Sequence, residues 1–469
     1  MAKRHDAYGA PTSTTAAEAL AGIDDFVTGF VGYHPRSANV LAAAEAHPDS
    51  ALANILAGFL WMFLERPEAP AKAEPFRRRA AACAGLNARE RGLLALLAAW
   101  QGRDARRALA IARDILAEHP EDLATLKLGQ YHAFNLADAP AMLSLALGCQ
   151  GALARRSTMG RRRRERTGEG TGTAETNARV PAPLLSMLAF AHEQCHHLEA
   201  AERAAFAALD IDPAEPWAHH ALSHTYLSRG AIEEGRRFLA ERADTWTGLN
   251  SFMFTHNWWH LALFEIAAGE GEAALATFDA RVWGVEPDYS QDQVNAVSLL
   301  ARLECAGVDV GDRWQRLLPH LISRADDVLQ PFVTLHYLYG LARTGAPEAA
   351  SLLALIERQA DEPLIEADRA LWGDVGIAAA RGVHAHATGE HEAAVVHLSP
   401  VQSRLWMTGG SHAQRDLFDQ LLLDAMLKGG RWRSAQPLLE LRRRTEPDNP
   451  LVRHGLVEVH ARLGLVASS

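Results

Sequence analysis

The chain has 469 residues, 48% of them hydrophobic and 22% charged, with a formal net charge of −10. An acidic balance argues against a general nucleic-acid binder, which would carry a net basic surface. No apolar run approaches the ~20 residues that span a bilayer, so no membrane partner is expected. The opening, MAKRHDAYGAPTSTT, lacks the apolar core of an export signal, and the expected compartment is the cytoplasm.

A chain of this length buries a large core, as one elongated solenoid or as two to three domains. Cys83, Cys149, Cys195 and Cys305 are scattered without a CxxC pair. That usage points to a reducing compartment and structural thiols rather than to a disulfide framework or a zinc ribbon.

In chain order, the polar, turn-rich DAYGAPTST precedes a first helix at TAAEALAGIDDFVTGFVGY. ALANILAGFLWMFL follows His47-Pro48, and Asn87 with Glu90 forms a capping-box start for RGLLALLAAW. ARRALAIARDILAEHPED then places Ala108 and Pro120 at positions 20 and 32 of a tetratricopeptide-type register, whose period is 34 residues. Alternating β-branched runs are almost absent, so the sheet content is expected to be close to nil. The predicted fold is an all-α, tetratricopeptide-like solenoid, a right-handed superhelix of antiparallel helix pairs.

Residues 148–183 break the pattern. They hold seven arginines between Arg155 and Arg166 and a Gly/Thr-rich tail without apolar period. A block this polar cannot offset its ordering entropy, so it reads as an irregular, disordered insert, with 155–178 the most poorly ordered. The expected organisation is N-terminal repeats over 1–147, this insert, and C-terminal repeats with a capping helix over 184–469, forming one continuous solenoid. Turns are expected near Gly230, Gly269, Gly345, Gly389 and Gly430.

WAHHALSHTYLSRG and FMFTHNWWHLALFEIAAGEGEAALATF each carry two histidines one helical turn apart, His220/His224 and His256/His260. In the repeat register these lie off the packing stripe, on the face that such solenoids turn toward a concave groove. Paired imidazoles at i,i+4 suit a zinc-like divalent ion, with His336 and the Asp288/Asp292 pair as additions; Asp292 is the acidic member kept in the candidate ligand set. HExxH is absent, and with it the general base of that motif. The same residues serve equally as hydrogen-bonding groups for a peptide. Trp259 is expected to face the groove, and Trp258, Trp283, Trp314, Trp372, Trp406 and Trp432 to fill repeat cores. GGSHAQRDLF supplies a second candidate: Ser411 and Gln414 form a capping box, and His412 and Arg415 flank a helix N-terminus able to take an anion. Its plain alternative is an ordinary capped helix.

The stretches Ser13-Thr14, HHALSH, HNWWHLALFE, RWQRLLP and GGSHAQRDLFDQLL resemble the tetratricopeptide repeat protein 38 family over nearly the whole chain outside the Arg-rich block. The resemblance implies an all-α superhelix of helix pairs and a cytosolic protein. It brings no activity. Two functional readings stand. In one, a cytosolic interaction protein holds a peptide or protein segment in a groove lined by His220, His224, His256, Trp259, His260 and His336. In the other, those histidines with Asp292 hold a metal or polarise a small molecule, making the chain a metal-dependent enzyme or a small-molecule-binding protein. Whether it is catalytic, and whether it forms a homodimer, the sequence leaves open.

Overall fold

The computed structural model describes residues 4–167 and 180–465, with side chains described outside 157–167. Two compact units divide the chain: Met1–Leu222 with Gly248–Asn250, and Ser223–Thr247 with Ser251–Ser469. The division falls inside one continuous helix, not at the polar block.

The first unit opens with two-residue strands β1 (Arg4–His5) and β2 (Pro11–Thr12), the only sheet among the described residues. Ten helices follow, α1 (Ala17–Val31), α2 (Asn39–Ala46), α3 (Ala51–Met62), α4 (Ala69–Ala82), α5 (Ala88–Gln101), α6 (Ala105–Glu118), α7 (Leu123–Asn135), α8 (Ala139–Thr167), α9 (Ala182–Gln194) and α10 (Leu198–Leu209). The unit ends within α11 (Pro216–Arg229). Helices α3 and α4, α5 and α6, α7 and α8, and α9 and α10 pack as consecutive pairs. The Asn87–Glu90 capping box forms as read, starting α5.

The expectation of an irregular segment from 148 needs correction. Helix α8 continues to Thr167, because Arg, Ala and Leu are good helix formers whatever their charge, and Arg156 pairs with Glu121 at 2.5 Å. The rest of the block expected to be disordered, 168–179, lies outside the described residues.

The second unit takes the remainder of α11, then α12 (Ile232–Ala240), α13 (Ser251–Ala267), α14 (Gly271–Thr277), α15 (Ser290–Cys305) and α16 (Arg313–Ile322). It continues through α17 (Pro331–Arg343), α18 (Glu348–Arg358), the single turn α19 (Arg369–Leu371), α20 (Ile377–Ala387) and α21 (His391–Leu398). The last three are α22 (His412–Lys428), α23 (Trp432–Thr445) and α24 (Pro450–Leu463).

Inner and outer helices of this unit differ as their sequences dictate. In α17 every residue from Pro331 to Ala342 is buried, and α15 is buried from Ser290 to Leu303 apart from the exposed side of Gln291. A helix buried all round belongs to an interior. By contrast, α16 buries only Trp314, Leu317 and Leu321, one stripe at helical spacing. The inner helices α13, α15, α17, α20 and α22 pack on one another, α15 against both α17 and α22.

The chain also returns on itself within this unit. Arg302 on α15 donates to the Ala413 carbonyl at the start of α22, at 2.7 Å. A Cβ at Gly230 would overlap the Thr445 carbonyl oxygen, and one at Gly269 would lie 3.3 Å from Pro450. The Gly230 turn therefore admits the end of α23 only because no side chain stands there, and the Gly269 turn meets the start of α24 in a tight contact. The inner face of this unit is an enclosed core. Among the described residues no helix is long and apolar enough to cross a membrane.

Candidate metal centre

Helix α11 carries His220 and His224, and α13 carries His256 and His260; spacing by four places each pair on one face, one turn apart. One ring nitrogen from each of the four histidines lies within 4.8 Å of the others. A tetrahedron built on ~2.0 Å Zn–N bonds has an edge of ~3.3 Å, so the separations are of the scale a single ion would span. The group comprises four imidazoles and no carboxylate.

Within the second unit the rings interlock edge to face. His260 meets His224 with centroids 4.6 Å apart and His256 at 4.8 Å. Trp259 backs them, stacked on His256 at 5.2 Å and edge-on to His260 at 4.9 Å. In the first unit His220 stacks on Trp217 at 4.1 Å. All are enclosed: His220, His224, His256, Trp259 and His260 are each 3% exposed or less. The expected groove-facing surface is thus an interior.

Burial favours the neutral form, the one that ligates, at His224 and His256. It drives His256 down to about 4, and it drives His224 well below the ordinary value, helped by the charge of Arg415. His256 also has an oriented outer partner. The Asn295 amide donates to Thr255 Oγ1 at 3.3 Å, which turns its oxygen to His256 Nδ1 at 3.0 Å. Nδ1 therefore carries the proton and Nε2 keeps a lone pair, the arrangement that outer partners impose on metal-ligating histidines.

Asp292 stands at the far end of that chain and is not in the ligand group. Its carboxylate accepts from Thr255 Oγ1 at 3.1 Å, from Ser251 Oγ, and from the Glu286 amide at 3.2 Å. Burial raises it to about 6. As a correction to its place among the ligands, it orients Thr255 and, through it, Asn295. Asp288 lies at the surface, 2.9 Å from His320 Nδ1.

His336, on α17, packs against Phe332 and Phe418 and also lies outside the four-imidazole group. Its Nδ1 faces the Phe332 carbonyl at 2.8 Å. A carbonyl only accepts, so Nδ1 holds the proton. Nε2 is then a lone pair, buried and without a hydrogen-bond partner among the described residues. Burial brings this imidazole down to about 4.

The loop before α22 is a structural cap. Ser411 Oγ accepts from Gln414 N at 3.3 Å, while the Gln414 side chain accepts from Ser411 N at 2.8 Å. Arg415 bonds the Gly410 carbonyl and lies 3.3 Å from His412 Nδ1. The hydroxyl and the first amide are used within the loop, and Arg415 brings positive charge to His224. Among the tryptophans, Trp259, Trp314 and Trp372 are buried, but Trp406 is 52% exposed, which corrects its placement in a core.

Sequence reasoning missed Asn295, whose role depends on α15 packing against α13, and Arg302, which is driven down to about 10 by burial and lies 5.4 Å from the Trp259 ring. It also missed a second cluster, Cys305, His386 and Asp424. The four-imidazole group could hold a metal ion. No protein-family model matches the sequence.

Proposed function

We propose that this chain is a metal-dependent, small-molecule-binding protein of the cytoplasm, with a zinc-like divalent ion held by His224, His256 and His260 and by His220 one turn earlier on α11. The observation that carries this reading is the convergence of four imidazoles, one ring nitrogen from each within 4.8 Å of the others. Imidazole nitrogens suit zinc, copper, iron or nickel rather than magnesium or calcium.

Burial favours this reading over a peptide groove, because side chains 3% exposed or less offer a passing peptide no surface. Two more buried atoms of the second unit support a small polar ligand. His336 Nε2 is an acceptor and Arg302 Nε a donor, neither with a partner among the described residues. The absence of any disulfide among Cys83, Cys149, Cys195 and Cys305 supports a reducing compartment. Bound here, the ion would supply Lewis acidity to a ligand oxygen. The protein's own part is to keep His256 in one tautomer through Asn295, to exclude bulk water, and to offer Arg302 and His336 to the rest of the ligand.

Zinc titration of the metal-free protein, followed by thermal unfolding, tests the reading. In a Cys305→Ser background, which removes the thiol of the second cluster, the protein is expected to gain stability with zinc, by about 2.7 kcal/mol at a hundredfold excess over Kd, and added His260→Ala to lose most of that gain. Equal gains in both proteins, or none in either, would overturn the metal reading.

A further inference from the structure

We infer that the second unit carries another metal site, built from Cys305, His386 and Asp424 with His391 as fourth donor, and suited to a thiophilic divalent ion such as zinc or cobalt(II). It uses none of the four clustered imidazoles and does not depend on their reading.

One ligand atom from each of Cys305, His386 and Asp424 lies within 4.8 Å of the others. His386 Nε2 and Asp424 Oδ2 are 2.9 Å apart, close to the ~3.3 Å edge of a tetrahedral zinc site. His391 stands beside them, its ring centroid 5.9 Å from that of His386. Its Nδ1 is buried without a hydrogen-bond partner among the described residues, so this donor atom is uncommitted. Thiolate, two imidazoles and one carboxylate make a four-ligand set typical of zinc and foreign to calcium or magnesium.

The fold prepares the place for a cation. Cys305 is the last residue of α15, His386 the penultimate residue of α20, and Asp424 sits in the final turn and a half of α22. Three inner helices thus direct their carbonyl ends, the negative ends of their dipoles, toward one spot. An outer partner is present as well: Tyr339 Oη lies 3.3 Å from His386 Nδ1. With Nε2 on the ion, Nδ1 carries the proton and donates to the Tyr339 oxygen, as metal-bound histidines do.

The exchange balances. Without metal, Asp424 Oδ2 accepts from His386 Nε2 and from the Lys428 ammonium at 2.9 Å. On binding, the ion forms bonds to sulfur, nitrogen and oxygen, and Lys428, whose side chain is 49% exposed, swings to water. The His386 proton moves from Nε2 to Nδ1, while Tyr339 turns from donor to acceptor. The Cys305 proton leaves to solvent, and nothing is oxidised or reduced. Burial holds the free thiol well above its ordinary range, so this cysteine is a ligand in waiting rather than a nucleophile.

Cobalt(II) titration of the full chain, read by absorption, tests the site. A thiolate ligand gives a near-ultraviolet sulfur-to-cobalt charge-transfer band that an all-imidazole site cannot give. Wild type is expected to show that band, with the amplitude of one thiolate-bound cobalt per chain at saturation. Cys305→Ser should abolish it. Asp424→Asn and His386→Gln should keep the thiol but weaken the band's cobalt affinity by more than the roughly 10–100-fold that loss of a supporting partner costs, which guards against a Cys305→Ser protein that fails to fold. His260→Ala should leave the band intact, separating this site from the four-imidazole centre. No band in wild type, or a band that persists in Cys305→Ser, would overturn the inference.

Discussion

In the first unit, Arg89 lies fully buried between two carboxylates, 2.6 Å from Asp122 and 3.0 Å from Asp6, with the Pro11 carbonyl taking a further bond at 3.1 Å. Burial works against the Asp122 carboxylate, yet Arg89 beside it holds it below the usual range. The second unit also encloses an ion pair, Arg324 with Asp327 at 3.1 Å, but beside it the imidazoles of His224, His256 and His260 are gathered with one another, near Arg302 and Arg415. One interior neutralises its charges internally and pins the N-terminal hairpin to α5 and α7. The other also gathers imidazoles with no carboxylate among them, a group that could hold a cation.

The turns differ too. From inner to outer helix, the first unit crosses at Glu65, Arg103, Ala137 and His196, all with φ between 52° and 62°. The second crosses at Gly230, Gly269, Gly307, Gly345, Gly389 and Gly430. The geometry is shared, but the second unit meets it with glycine, which adopts it without strain, and at Gly230 uses the missing side chain to admit the end of α23.

The largest expected effect breaks that closure. Gly230→Ala combines a left-handed φ of 66° with overlap of the Thr445 carbonyl, and a loss on the order of 5 kcal/mol is expected in denaturant unfolding. A loss below about 1 kcal/mol, the ordinary effect of a surface change, would mean that α23 does not seal this turn. Next comes the charge network of the first unit: Asp122→Asn leaves Arg89 half-paired and should cost about 4 kcal/mol. Zinc-induced stabilisation should survive it, because the imidazoles sit elsewhere.

The pH response gives a smaller contrast. His336 falls from an ordinary 6.5 to about 4 on folding, so between those values the unfolded chain binds more protons and stability rises with pH. Its contribution, about 3 kcal/mol by linkage, is fully present above pH 6.5 and lost as pH falls toward 4. Asp292 acts oppositely: with its folded value raised to about 6, it favours the folded state most at low pH and loses that as pH rises through 6. His336→Gln keeps the Asp292 term, so its stability should fall less than that of wild type between pH 6.5 and 4. Parallel curves would show that His336 is not enclosed as described. The smallest effect is a gain: Ala137→Gly relieves a left-handed alanine and should stabilise by about 0.5–1 kcal/mol, whereas Gly345→Ala should destabilise.

These turns also show what was legible in the sequence. Gly230, Gly269, Gly345, Gly389 and Gly430 mark their turns openly, whereas Arg103, Ala137 and His196 adopt the same conformation with side chains that signal nothing of it. The histidine pairs and the Ser411 cap were legible because their partners are three or four residues away. Asn295 was not, since its bond to His256 spans 39 residues, and neither was Arg302, which meets Ala413 across 111. The Cys305, His386 and Asp424 set joins three helices, so no local spacing records it. The arginine block misled for a different reason: polarity argues against burial, not against helix, and α8 runs on to Thr167.

X-ray absorption at the zinc edge tests most directly whether the four imidazoles hold one ion. In the Cys305→Ser protein loaded with one zinc per chain, the expected first shell is nitrogen at about 2.0–2.1 Å, with the outer-ring scattering of at least three imidazoles. A triple variant, His224→Ala, His256→Ala and His260→Ala, should lose that scattering together with the bound zinc. A shell of water oxygens in the Cys305→Ser protein, or the same imidazole spectrum in the triple variant, would contradict the four-imidazole centre.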